Sequence, residues 1–173
     1  DAAPGRPAST SPLTLRPGQV ALVGGGLGDP DLMTVRARVL LNQADIVVAD
    51  RLGPTALLPD LHEDVAVISV GKTPGDGGTS QAAINDLLVE HAKLGRRVVR
   101  LKGGDPFVYG RGGEELAACR AAGVDVVVVP GISSTIAAPA AAGIPVTHRG
   151  VADRFHVISG HTARLHGGGL NDA

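Results

Sequence analysis

The strongest constraint on the fold is the alternation of short apolar runs with helical segments from Gln19 onward. The apolar runs lack the alternating polar residues of a strand with one solvated face, so each strand is expected to be buried on both faces. Strands are predicted at 20–23, 46–49, 65–70, 97–101 and 124–129. Helices are predicted at 34–43, 80–94, 114–122 and 133–142. This order predicts an α/β fold, a parallel sheet covered by helices on both faces.

A parallel sheet of this kind binds ligands beyond the carboxyl ends of its strands. The segments that leave the predicted strands are rich in glycine and charged residues, and they lie at 24–29, 50–52, 71–72, 102–111 and 131–134. We therefore expect these segments to meet at one edge of the molecule and to form a ligand site there.

The most informative of these segments reads RLKGGDPFVYGRGGEE from Arg100 to Glu115. Glycines that follow a strand let a ligand approach the backbone, because no Cβ stands in the way. Asp105 can accept hydrogen bonds from hydroxyl or amine groups, and Arg111 can bind a carboxylate with its planar fork. An ordinary loop before a helix explains the glycines and Glu114. It does not explain a cation, an acid and so many glycines together, so the segment predicts a ligand site.

Composition argues against several kinds of partner. The formal net charge is −1 and aromatic residues are scarce, which disfavours nucleic acid as a partner. No apolar run has membrane-spanning length, so no membrane partner is expected. The single cysteine, Cys119, fits a reducing cytoplasm. The histidines show no pairing at ligand spacing on one helix, so no metal site is expected.

The glycine-rich segment from Gly24 to Asp29 also suggests a dinucleotide-binding loop, with Asp50 at the distance of a ribose-binding acid. The spacing does not fit, because Asp29 occupies the position of the third glycine. A carboxylate there would repel a pyrophosphate, so this interpretation is not favoured.

Several segments together resemble a known family. Besides 103–115 they are 23–34 (VGGGLGDPDLMT), 44–52 (ADIVVADRL), 71–72 (GK), 81–85 (QAAIN), 129–134 (VPGISS) and 142–149 (AGIPVTHR). In this order they resemble the amino-terminal domain of the uroporphyrinogen-III C-methyltransferases, within the tetrapyrrole methylase family. The resemblance extends from Gln19 to about His161.

The resemblance implies methyl transfer from S-adenosylmethionine (SAM) to two pyrrole carbons of uroporphyrinogen III. The product would be precorrin-2, formed by way of precorrin-1, for sirohaem and cobalamin biosynthesis. A cytoplasmic enzyme is implied that forms a homodimer when full length. A later corrin precursor is the alternative substrate, although the segment from Arg111 to Glu115 argues against it.

The resemblance also implies residue roles. Catalytic roles fall on a proton acceptor, a proton donor and an arginine, which are Asp50, Lys72 and Arg111. The donor-binding positions are Leu27, Gly103, Gly104, Asp105, Val108, Ser133 and Ser134. The substrate-binding positions are Arg51, Glu114 and Arg149. Because the substrate carries many carboxylates, several cations must converge, and we expect Lys102 to join Arg51, Lys72, Arg111 and Arg149 at the ligand edge.

The predicted organisation has three parts. Residues 1–18 are rich in Pro, Ala, Ser and Thr and are expected to form a linker or disordered tail. Residues 19–150 form the α/β domain. Residues 151–173 are expected to begin a second α/β domain, with a strand at 155–159.

Two features lead us to expect weak activity. Leu27 replaces a proline that the family usually has in the first glycine loop, which loosens that loop. The carboxy-terminal domain, which supplies the other wall of the donor pocket in the family, would be largely missing. We therefore expect a half-site that binds SAM poorly, and an inactive domain that merely folds and dimerises is a further alternative.

Overall fold

A five-stranded parallel sheet forms the centre of the structure. The structure is a computed structural model that describes residues 13–50, 58, 61–71 and 79–159. The strands are β1 (Gln19–Gly24), β2 (Ile46–Ala49), β3 (Ala66–Ser69), β4 (Val98–Lys102) and β5 (Asp125–Val129). Their order in the sheet is β3-β2-β4-β1-β5, so β4 lies at the centre. The predicted α/β fold with a parallel sheet is confirmed.

Helices cover both faces of the sheet. They are α1 (Val35–Leu41), α2 (Gln81–Lys93), α3 (Gly112–Ala121) and α4 (Ser134–Ala141), with a short 3-10 helix at Pro30–Leu32. Leu40 and Leu41 of α1 pack on one face, with Val47 and Leu101 of the sheet. Leu88 of α2 and Cys119 of α3 lie in the core of the opposite face. Alternate residues of β1, β2 and β4 therefore enter different cores, as expected for strands buried on both faces. The same expectation is wrong for β3, which lies at the edge of the sheet and is mostly exposed.

Local sequence signals account for where the helices begin. The hydroxyl of Ser80 accepts a hydrogen bond from the amide of Ala83 at 3.2 Å, which caps α2. Thr34 caps α1 in the same way through the amide of Ala37. Each hydroxyl satisfies an amide that has no partner inside its helix. The predicted start of this helix at Ser80 is confirmed.

Residues 13–18, at the end of the predicted linker, pack against the sheet. Leu15 is 2% exposed and belongs to the same core as α1. Its amide donates to Oε1 of Gln43 at 2.8 Å, and the amide of Gly18 donates to the carbonyl of Arg96 at 3.2 Å. The packed part of the chain therefore includes residues before Gln19. The rest of the predicted linker, 1–12, lies outside the described residues.

The predicted strand at 155–159 is wrong. These residues form neither strand nor helix, and Phe155 and Ile158 are exposed by 44% and 61%. Apolar, β-prone residues make a strand when a neighbouring strand pairs with their backbone, and none does so among the described residues. The second domain predicted to start at 151 remains a prediction, and 160–173 lie outside the described residues.

No helix in the described ranges combines the length and the apolar character needed to cross a bilayer.

Candidate functional site

The loops at the carboxyl ends of the strands surround a cleft of about 1050 Å³. Contributions come from the loops after β1, β2, β3, β4 and β5, and from the start of α2. Predicted site residues that line the cleft are Leu27, Asp50, Gly103, Gly104, Asp105, Val108, Arg111, Ser133 and Ser134. The expectation that these loops meet at one edge is confirmed for the described residues. The individual roles of these residues stay predictions.

Three glycines bring the backbones of three loops into direct contact beneath the cleft. Gly24 ends β1, Gly104 follows β4 and Gly131 follows β5. A Cβ built on Gly131 would lie 2.1 Å from the carbonyl oxygen of Gly104 and 2.7 Å from Cα of Gly24. A Cβ on Gly24 would lie 2.4 Å from the amide nitrogen of Gly131. We call these three residues the glycine junction. No side chain fits at Gly24 or Gly131 without movement of the backbone, and Gly104 has a positive φ that favours glycine.

A second contact between glycines joins the loop after β1 to the loop after β4. The amide of Gly104 donates to the carbonyl of Gly26 at 2.7 Å, and the amide of Gly26 donates back at 3.2 Å. Both residues have positive φ, +71° at Gly26 and +62° at Gly104. Leu27 therefore projects from an anchored loop and lines the cleft with 43% of its surface exposed.

Asp105 shapes its own loop. One carboxylate oxygen accepts the amide of Phe107 at 2.8 Å, and the other accepts the amide of Gly131 at 3.1 Å. The second bond joins the loop after β4 to the loop after β5. Asp105 thus holds the two loops together at the cleft, alongside its predicted role in donor binding.

Arg111 lies at the entrance of α3 in an unusual backbone conformation. Its φ and ψ are 57° and 15°, in the left-handed region that disfavours side chains with a Cβ. Its Nε and Nη2 donate to the two carboxylate oxygens of Glu114, each at 2.8 Å. This hydrogen-bonded pair lowers the pKa of Glu114 and raises the pKa of Arg111. Both side chains are more than half exposed, so the pair orients the guanidinium without adding much stability.

The backbone of Arg111 leads to a stability prediction. Arg111→Gly should be about 0.5–1 kcal/mol more stable than Arg111→Ala. Glycine avoids the cost of about 1–2 kcal/mol that a Cβ pays in the left-handed conformation. Part of that gain is lost because glycine makes the unfolded chain more flexible. Urea denaturation of the two variants measures this difference. Ala117→Gly, in the right-handed interior of α3, is the matched control and should lose about 1 kcal/mol. Equal stability of the two Arg111 variants would contradict the left-handed backbone conformation at residue 111.

A cluster of buried charges lies under the cleft. Arg100 and Lys102 are two residues apart on β4, so both side chains project to the face covered by α2 and α3. Nε of Arg100 and Nζ of Lys102 each donate to Oε1 of Glu115 at 3.0 Å. The side chains of the three residues are 3%, 4% and 0% exposed. We call Arg100, Lys102 and Glu115 the buried charge cluster.

Lys102 lines the cleft, so its expected place at the ligand edge is confirmed. Its ammonium, however, is bound to Glu115 inside the protein instead of being free for a substrate carboxylate. Burial lowers the pKa of Lys102, the neighbouring Arg100 cation lowers it further, and Glu115 opposes both effects. Strand alternation turns Lys102 toward α3 together with Arg100, which is why its ammonium meets Glu115.

Asp50 ends β2 beside this cluster. Its Oδ1 accepts the amide of Gly103 at 3.3 Å, and its Oδ2 lies 3.5 Å from Nη2 of Arg100. The same guanidinium donates through Nη1 to the carbonyls of Val48 and Leu101. Contacts with the loop after β4 and with the buried charge cluster therefore hold Asp50 at the cleft wall.

The structure does not bring every predicted residue to the cleft. Arg149 is exposed on a turn closed by hydrogen bonds between His148 and Ala152, and it does not line the cleft. Glu114 reaches the cleft wall only through Arg111. Arg51 and Lys72 lie outside the described residues. The substrate-binding roles of Arg51, Glu114 and Arg149, and the catalytic role of Lys72, stay predictions.

Sequence reasoning missed Arg100 and Glu115. Two signals could have found them. Arg100 and Lys102 interrupt an otherwise apolar central strand, and Glu115 is four residues before Cys119, so both lie on the buried stripe of α3. Glu114, one residue earlier, faces outward.

The sequence profile described as "Tetrapyrrole (Corrin/Porphyrin) Methylases" matches residues 19–169. The chain belongs to the tetrapyrrole methylase family. Within this family, the cleft at the carboxyl edge of the sheet is the candidate active site of a methylase domain.

Two similar tetrapyrrole methylases show how much of the relatives this chain covers. It is 51% identical over 146 residues to the uroporphyrinogen-III C-methyltransferase of Methanocaldococcus jannaschii, covering 84% of this chain and 60% of that protein. It is also 51% identical over 145 residues to a sirohaem synthase of Pseudomonas fluorescens, of which it covers 31%. The chain thus spans less than two thirds of these relatives.

Solved structures of other methylases share the fold. The uroporphyrin-III C-methyltransferase of Thermus thermophilus, in complex with S-adenosylhomocysteine (SAH), is 44% identical and aligns with a TM-score of 0.67. The alignment covers 79% of this chain and 57% of that chain. A cobalt precorrin-4 methyltransferase is 32% identical, with a TM-score of 0.66 over 76% of this chain and 53% of that one.

Proposed function

We propose that this chain carries the donor-binding part of a SAM-dependent uroporphyrinogen-III C-methyltransferase, which forms precorrin-2 by way of precorrin-1. The observation that carries the proposal is the glycine junction, which presents backbone of the Gly103–Asp105 loop at the cleft without side chains in the way. The identity of 51% to the Methanocaldococcus enzyme supports the same substrate.

The residues of the cleft fit the methyl donor. A methionine moiety needs backbone donors and acceptors at close range, which the glycines at 103 and 104 permit. The cleft is also roomy enough for a drug-sized ligand and lies where parallel sheets bind ligands. Leu27, Val108, Ser133 and Ser134 supply apolar and hydroxyl groups around the same space.

When bound, SAM supplies an electrophilic methyl group on a sulfonium. An electron-rich pyrrole carbon forms a bond to that methyl while the carbon–sulfur bond breaks, and its electron pair leaves with sulfur as SAH. A proton then leaves the macrocycle. In this proposal Asp50 accepts that proton, and Arg111 holds a substrate carboxylate with the fork that Glu114 orients. Lys72 would act as proton donor.

The proposal also covers the oligomeric state and the cellular location of the whole protein. We infer that the whole protein forms a homodimer and works in the cytoplasm. Analytical ultracentrifugation tests the first, and cell fractionation tests the second; a monomer, or a protein found in another compartment, would contradict them.

A later corrin precursor is a weaker candidate for the substrate. In structural alignments, the cobalt precorrin-4 methyltransferase is 32% identical to this chain, against 44% for the Thermus uroporphyrin-III C-methyltransferase.

The test is methyl transfer from radiolabelled SAM, in the whole polypeptide that contains this chain. With uroporphyrinogen III, label should enter the tetrapyrrole and precorrin-2 should appear by absorbance. Label transferred to a later corrin precursor but not to uroporphyrinogen III would favour the alternative. Donor binding without transfer to either substrate would overturn the proposed reaction.

A further inference from the structure

The buried charge cluster calls for an explanation beyond folding. Charged residues buried in pairs are often no more stabilising than apolar residues of the same size, because the charges must be removed from water. Here two cations occupy a central strand whose other residues, Val98, Val99 and Leu101, are apolar and fully buried. Their position directly before the Gly103–Asp105 loop points to a role at the cleft.

The cluster contains two cations and one anion. Arg100 and Lys102 both contact Oε1 of Glu115, while Oε2 of Glu115 is buried without a hydrogen-bond partner among the described residues. Asp50 also acts on the cations, at 3.5 Å from Arg100, and the exposed Glu114 interacts with Lys102. Loss of the charge of Glu115 would therefore leave an additional positive charge under the cleft.

The methyl donor responds to such a charge in a way that its product does not. SAM and SAH have nearly the same shape, but SAM carries a positive sulfonium and SAH a neutral thioether. If the donor binds at Gly103–Asp105, as the proposed function has it, it contacts a loop whose last residue, Asp105, has its Cα at most about 10 Å from the Cα of Lys102. Between two unit charges about 10 Å apart, the Coulomb interaction changes a binding constant by about fourfold to sixteenfold at an effective dielectric constant of about 20–40.

We propose that Glu115 is a specificity-determining residue, whose buried negative charge balances Arg100 and Lys102 so that the cleft accepts the cationic donor alongside its neutral product. This inference rests on the proposed function, because it needs the donor at the loop after β4. It assigns to Glu115 an electrostatic task that a purely structural residue would not have.

Calorimetric titration of SAM and of SAH into the whole polypeptide tests this proposal. The quantity of interest is the dissociation constant for SAM divided by that for SAH. In Glu115→Gln this ratio should rise about fourfold to sixteenfold, since a cation is left unbalanced. In Lys102→Met it should fall by a similar factor, because Glu115 then has one cation to balance. The double variant removes one charge of each sign and should restore the wild-type ratio.

Glu90→Gln is the matched control, because Glu90 is exposed on α2 and undergoes the same chemical change. Its ratio should equal that of the wild type. If Glu115→Gln does not fold, Lys102→Met and the double variant still decide the question, since their ratios must differ in the stated direction.

The outcomes separate this inference from the proposed function. If SAM and SAH weaken together and the ratio stays constant in Glu115→Gln and Lys102→Met, the cluster is structural and the inference fails alone. If the wild-type protein binds neither molecule, the donor site itself is wrong, and the proposed function fails together with the inference.

Discussion

Asp50→Asn should lower kcat for methylation of uroporphyrinogen III by about 10²–10³-fold. The amide keeps the shape of the side chain and can still accept the amide of Gly103, which lies 3.3 Å from Oδ1. It cannot take up the proton that leaves the macrocycle, so the loss should fall on kcat. The dissociation constant for SAH should change little, because the backbone of the Gly103–Asp105 loop is preserved. Steady-state kinetics and calorimetry on the whole polypeptide measure the two effects.

Asp86→Asn is the matched control for this variant. Asp86 is exposed on α2 and does not line the cleft, so the same change there should leave kcat as it is. An Asp50→Asn enzyme that retains kcat within about threefold would contradict the assignment of Asp50 as the proton acceptor, since removal of such a base has a larger effect.

Gly131→Ala should destabilise the protein by about 3 kcal/mol, near the upper end of overpacking costs. The added Cβ would stand 2.1 Å from the carbonyl oxygen of Gly104 and 2.7 Å from Cα of Gly24. Both obstacles are backbone atoms, so no side-chain rotation relieves the clash. The loops after β1, β4 and β5 would have to separate, and SAH affinity should fall with stability. Urea denaturation measures the first effect and calorimetry the second.

Gly113→Ala is the matched control and should stabilise the protein instead of destabilising it. Gly113 lies in the first turn of α3 with open space around its Cβ position and without a positive φ. Alanine there should gain about 0.5 kcal/mol through helix propensity and a less flexible unfolded chain. Equal effects of alanine at positions 131 and 113 would show that the glycine junction is looser than the structure has it.

The strands were predictable because burial on both faces leaves a clear signal in the sequence. The apolar runs at 20–23, 46–49 and 124–129 all correspond to strands of the sheet. The run at 155–159 has the same local character but pairs with no strand in the described part of the chain. Local propensity indicates which residues can adopt a strand conformation. Whether they form a strand depends on a neighbouring strand that pairs with them.

The candidate site was predictable as far as topology determines it. Glycine-rich segments that leave parallel strands must meet at one edge, so the convergence of Leu27, Asp105 and Ser133 at the cleft followed from their order in the chain. The direction of individual side chains did not follow. Lys102 turns inward to Glu115, because strand and helix phase decide which charged residue is buried.

A crystal structure of the whole polypeptide with SAH would show whether this cleft is the donor site. We expect the methionine moiety of SAH to lie against the backbone of residues 103–105, with Leu27, Val108 and Ser133–Ser134 around the rest of the molecule. SAH bound elsewhere, with the cleft between these loops left open, would contradict the assignment of this cleft as the donor site.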